Sequence, residues 1–299
     1  MKILKSENTL NLGTQVALPT GIIKGLYIRF VGVGATGVTV TEAQLGTIRV
    51  NYRGNDIVNA DLAGIGLFNN LHKGTHEFAA ASGGAVTASY YIPFCLPWDE
   101  NNGLINTDAD RGTVYLSFPA LAAAVMASGS VEVYVIEART VAQYVPVFLN
   151  QSLQSGGAGT LTDRFRQFNI SSIYIVENVH ITGTIIVNRD GQNIVNASQA
   201  VLKAASNLNN RVETAVALIQ LDLNPNQLLA GSLSNNVEVN LGMDAATTVV
   251  CYVLGVLFQQ SAVGSGVGAY SGAGGSGALN SGTLTTQPVK VGIGVGASS

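Results

Sequence analysis

Charge is what this sequence has least of. Of 299 residues only 11% are Asp, Glu, Lys or Arg, against the usual share of about 25%. A dispersed monomer ordinarily keeps about a quarter or more of its surface charged. The shortfall has two readings: a surface of Asn, Gln, Ser and Thr, or one covered by neighbouring subunits. The second is the expectation here. The net charge of −3 excludes an electrostatic nucleic-acid binder, and no sequence-specific nucleic-acid partner is expected.

Reactive side chains are scarce too. The chain has two cysteines, three histidines and one tryptophan. Cys95 and Cys251 sit in apolar strand-like runs, one in each half. They form no disulfide framework and read as buried thiols. The longest uncharged apolar run, residues 247–258, is too short for a membrane helix. Residues 1–7 carry no apolar stretch of signal-peptide length, so cytoplasmic synthesis without secretion is expected.

The motifs that tempt a chemical reading lack their context. Gly32, Gly34 and Gly37 match G-x-G-x-x-G after a strand, but a dinucleotide site needs the last glycine to open a helix. The β-branched run 38–41 follows instead, so this is a loop. His72 and His76 have zinc spacing on a helix, but Gly74 interrupts it and His180 lies in the other half. Asp99, Asp108 and Asp110 belong to an Asp/Asn-rich stretch that could take calcium. Its EF-hand spacing fails, and such turns need no ion. No Walker A motif, C-x-x-C pair or nucleophile elbow occurs, so no catalytic residues and no cofactor are expected.

What the chain does have is a repeat. Residues 46–60 return as 183–197, with ten of fifteen positions identical at a spacing of 137. Solenoid repeats run about 20–50 residues, so this period signals a duplicated domain. Each copy reads as strand, tight turn, strand, then helix. The turns fall at residues 52–55 and 190–191. The helices follow at 61–71 and 198–209, the first weakened by Gly64 and Gly66. The second is N-capped by Ser198 and places Ala200, Val201, Ala204, Ala205 and Leu208 on one face. Further strands are predicted near 26–31, 85–94, 113–118 and 130–137. In the second half they fall near 172–176, 213–223, 236–241 and 247–258.

The expected organisation is all-β: a first sandwich over 1–143, a crossing segment over 144–167, a second sandwich over 168–260, and a Gly/Ser-rich arm over 261–299. That arm holds eleven of the 35 glycines.

Two strand-rich halves, each with a helix after an early hairpin, resemble the double jelly-roll major capsid proteins of tailless, membrane-containing icosahedral phages. The likeness is to the corticovirus type and spans residues 10–258. It implies two tandem jelly-roll β-sandwiches with short flanking helices. It further implies a structural protein whose homotrimer imitates a hexagon and contacts neighbouring capsomers, a penton or spike protein, and an internal lipid membrane. Such a protein is made in the host cytoplasm and ends in the virion capsid. Positions where the copies differ are then the expected assembly residues: Arg49 against Ile186, and Tyr52 and Arg53 against Arg189 and Asp190. Lys290 in the arm joins them. The alternative is a tandem sandwich that binds carbohydrate or acts as an adhesin, with Trp98, Tyr90 and Tyr91 as its aromatic platform.

Overall fold

The repeated fifteen residues form a bulged hairpin in both halves. Val50 and Asn51 flank a register shift in the first hairpin, and Val187 and Asn188 flank the same shift in the second. Both turns place two successive residues at positive φ: Arg53 (54°) and Gly54 (79°), then Asp190 (50°) and Gly191 (80°). That is the type I′ geometry matching the twist of paired strands, and it explains why glycine recurs at the second turn position. A helix follows each hairpin, N-capped by Ser198 as predicted and, in the first copy, by Asp61.

In the computed structural model the described residues are 2–8, 14–72, 76–97, 105–107, 115–118, 122–137, 144–165, 169–212, 214–223 and 236–258. The first half comprises β1 (Lys2–Asn8), β2 (Thr14–Ala17), β3 (Ile22–Gly34), β4 (Thr47–Tyr52), β5 (Asn55–Asp61), α1 (Leu62–Leu71), β6 (His76–Ala80), β7 (Ala85–Pro93), β8 (Ile105–Asn106), β9 (Tyr115–Phe118) and β10 (Met126–Glu137). The second comprises β11 (Tyr144–Asn150), β12 (Leu153–Ser155), β13 (Gly159–Phe165), β14 (Asn169–Val176), β15 (Ile181–Arg189), β16 (Gln192–Ser198), α2 (Gln199–Asn209), β17 (Leu218–Asp222), β18 (Val237–Met243), β19 (Thr247–Val249) and β20 (Cys251–Phe258).

The two halves share one topology. In the first, β1-β10-β3-β7 faces β2-β9-β4-β5; in the second, β11-β20-β14-β17 faces β13-β18-β15-β16. Strand for strand the orders correspond, with the helix between the same two strands. Each half is an eight-stranded jelly roll, and the chain is a double jelly roll. Residues 144–167 are therefore more than a crossing. They supply β11 and β13, the first two strands of the second roll, which begins at Tyr144. The pairing of β11 with β20, a hundred residues away, carries no local sequence signal.

The rolls are fused edge to edge. β5 pairs in parallel with β11, with Val58 opposite Phe148 and Asn59 opposite Leu149. The pairing makes a continuous sheet, β17-β14-β20-β11-β5-β4-β9-β2. Its second-roll half is apolar on both faces. Ile173, Ile175, Cys251 and Val253 fill the second roll's own core, while Tyr174, Tyr252, Leu254 and Val256 join the first roll's core across the seam. Continuous apolar strands mark a sheet covered on both sides.

Candidate functional site

The chemical motifs come apart first. The glycine-rich loop ends β3 and turns through Gly37 at a φ of 74° without opening an α-helix. His72 caps the C-terminal end of α1, and His76 lies in β6 beside Glu42 at 3.4 Å. Burial raises the Glu42 carboxyl above its ordinary range, and the nearby His76 and Tyr90 pull it back. Among the described residues no group of three metal-ligating side chains converges. Asp99, Asp108 and Asp110 lie outside the described residues, as do Trp98 and Lys290. Tyr90 is fully buried, which removes it from any sugar-binding platform. Cys95 and Cys251 are buried and form no disulfide, and burial pushes the Cys251 thiol well up. A cavity between the rolls, lined by Phe68, Cys95, Pro146 and Phe148, holds about 20 Å³, room for no more than one water.

The expected assembly residues cluster at the two hairpins and are largely engaged within their own roll. Arg49 bonds Asp56 across the first hairpin. Tyr52 is buried, with the Arg53 guanidinium 5.2 Å from its ring centroid. Ile186 is half-buried. Arg189 donates to the Leu223 carbonyl at 2.8 Å and lies 3.8 Å from Asp190.

Beside the β5–β11 pairing, contacts between the rolls come from α1, which inserts into the seam. Seven of its ten residues are buried, among them Leu62, Ile65, Phe68 and Leu71. A helix apolar around most of its circumference must be enclosed. The Phe68 ring lies 4.9 Å from Phe148 and 5.3 Å from Tyr174, both in the second roll. His72 Nε2 meets Tyr174 Oη at 2.9 Å, and burial lowers the imidazole to about 4. Gly64 packs against Tyr252 so closely that any Cβ there would collide with the hydroxyl.

One carboxylate ties these pieces together. Asp61 Oδ2 caps α1 by accepting from the Gly64 amide at 3.0 Å. Its Oδ1 accepts from Tyr252 Oη at 2.7 Å and from Asn150 Nδ2 at 3.1 Å, both second-roll groups. Burial and the Asp61 charge push the Tyr252 phenol well up, so it stays a donor. In the sequence Asp61 is only the first residue of the expected helix; its reach across the seam carried no signal.

A second pairing recurs in both copies. Asn69 on α1 bonds the backbone of Tyr91 in β7 through both its amide atoms, at 2.7 and 2.9 Å. On α2, Ser206 bonds the backbone of Gln220 in β17, accepting from its amide at 2.8 Å. These are the buried polar positions of the two helices, and each fastens its helix to its own roll.

No protein-family model matches the chain, and no curated protein sequence does. Solved structures do. The STIV major capsid protein superposes with a TM-score of 0.65 at 13% identity, over 86% of this chain and 97% of the other. A chain in the atomic structure of Sulfolobus Turreted Icosahedral Virus gives 0.67 at 12%, over 86% and 90%. The major capsid protein P2 of bacteriophage PM2 gives 0.58 at 16%, over 85% and 96%. The fold is that of the double jelly-roll capsid proteins.

Proposed function

We propose that this chain is a major capsid protein. It is a structural, non-catalytic subunit whose homotrimer forms a pseudo-hexagonal capsomer of an icosahedral virion shell. The observation that carries the reading is the fusion of two like rolls, edge to edge, through β5 and β11. A contact between unlike faces of like units generates a ring where its rotation closes. Three chains bring six rolls, so a threefold assembly acquires a hexagonal outline. The low charge fits, because interface cores are depleted in charged residues.

The capsomer meets neighbouring capsomers at its flanks, a penton or spike protein at the vertices, and an internal membrane beneath. The arm 261–299, with Lys290, serves contacts between capsomers, and the hairpin residues Arg49, Arg53, Ile186 and Asp190 serve contacts outside the roll seam. Light scattering of the purified protein tests the reading. The expected mass is three times the 30.9 kDa of one chain. A dispersed monomer at micromolar concentration would contradict it.

A further inference from the structure

The duplication makes α2 the counterpart of α1 at the same spacing of 137, but their surroundings differ. α1 is enclosed. On α2 only Ser206 is buried; Val201 is 58% exposed, Leu208 is 78% exposed, and Ala204 and Ala205 are exposed between them. The face the sequence marks as apolar therefore points away from the chain's own core. Gly64, Phe68 and Leu71, which enter the seam or its core, correspond to Val201, Ala205 and Leu208.

The surface that receives α1 is duplicated as well. Across the outer face of the second roll, Gln220, Tyr174, Tyr252 and Asn150 stand opposite one another on β17, β14, β20 and β11. The matching row on the first roll is Tyr91, Tyr27, Tyr134 and Ile3, on β7, β3, β10 and β1. Tyr91, Tyr27 and Tyr134 are only half-buried, and the Tyr27 and Tyr134 rings lie 5.9 Å apart. Among the described residues both flanking strands, β16 on one roll and β1 on the other, are edges of their sheets.

We propose that α2 of one copy docks on the Tyr27–Tyr134 face of the first roll of a second copy, with β16 running parallel to that copy's β1. This deepens the trimer reading and rests on it. Val201 lies over Tyr134, Ala205 over Tyr27, and the intrachain register sets Asn196 opposite Lys2. Two open edges and two apolar faces, each a liability alone, are covered in one contact. The contact is looser than the intrachain seam. Val201 stands where Gly64 permits close approach, and Tyr134 Oη is held by its own Glu132 at 2.9 Å where Tyr252 reaches the helix cap.

Two measurements test this. First, Val201→Asp with Leu208→Asp is compared with wild type by light scattering, with circular dichroism as the check on folding. The trimer is expected to be lost while the melting curve is retained. Second, chains carrying Ala205→Cys are mixed with chains carrying Tyr27→Cys and oxidised. A covalent dimer is expected from the mixture and from neither variant alone, since the native thiols are buried. A trimeric wild type that tolerates the aspartates and gives no cross-link overturns this docking and leaves the trimer standing. A monomeric wild type overturns both.

Discussion

At the scale of single residues, Asp61 does two jobs that its counterpart Ser198 divides. Both cap a helix, but only Asp61 binds the other roll. Asp61→Ser keeps a capping oxygen and removes the bonds to Tyr252 and Asn150, so it isolates the seam. The expected loss is about 1–3 kcal/mol in urea unfolding, and Asp61→Ala adds about 1 kcal/mol for the cap. Equal effects of the two would refute the division. His72 gives a pH signature. Its imidazole titrates near 6.5 in the unfolded chain and near 4 in the folded one, so the unfolded state takes up the proton first as pH falls. Stability is unaffected above about pH 6.5. It declines between 6.5 and 4, by an amount of the order of 3 kcal/mol, and levels off below. His72→Gln should flatten that decline in a pH series of melting temperatures; an unchanged slope would contradict the buried neutral imidazole.

At the scale of elements, much of what is local was legible. The tight hairpin turns, the Ser198 cap and both helices were legible because the effects of Gly54, Gly191 and Ser198 act within a few residues; the bulges and the Asp61 cap were not read. The weakening of α1 by Gly64 and Gly66 was legible as composition, but its cause was not. Gly64 admits the Tyr252 hydroxyl, and Gly66 admits Glu42 and His76. Gly64→Ala should therefore destabilise the protein by about 1–3 kcal/mol, although alanine is the better helix former by about 1 kcal/mol. A stabilised variant in thermal unfolding would contradict the close approach. β11 was invisible because its partners β20 and β5 are remote in sequence and no turn announces them. The face of α2 carrying Val201, Ala204, Ala205 and Leu208 was legible as apolar, but not that it lies exposed. Ser206, a polar residue, is the one that faces home.

At the scale of the whole molecule, the repeat predicted two equivalent sandwiches, and they are present. The divergent hairpin residues carried the expectation of different neighbours, and within their own rolls Arg49, Tyr52 and Arg189 also make contacts. The difference between the copies that matters at the seam is the enclosure of α1 against the exposure of α2. One roll finds its neighbour in its own chain and, among the described residues, the other ends in an exposed helix and an edge strand, which under the proposed function makes the chain one segment of a ring. The most direct test of that claim is electron microscopy of the purified protein, averaged without imposed symmetry. The account predicts a closed six-lobed ring with threefold symmetry and alternating tight and loose seams. Isolated two-lobed particles at the same concentration would contradict it.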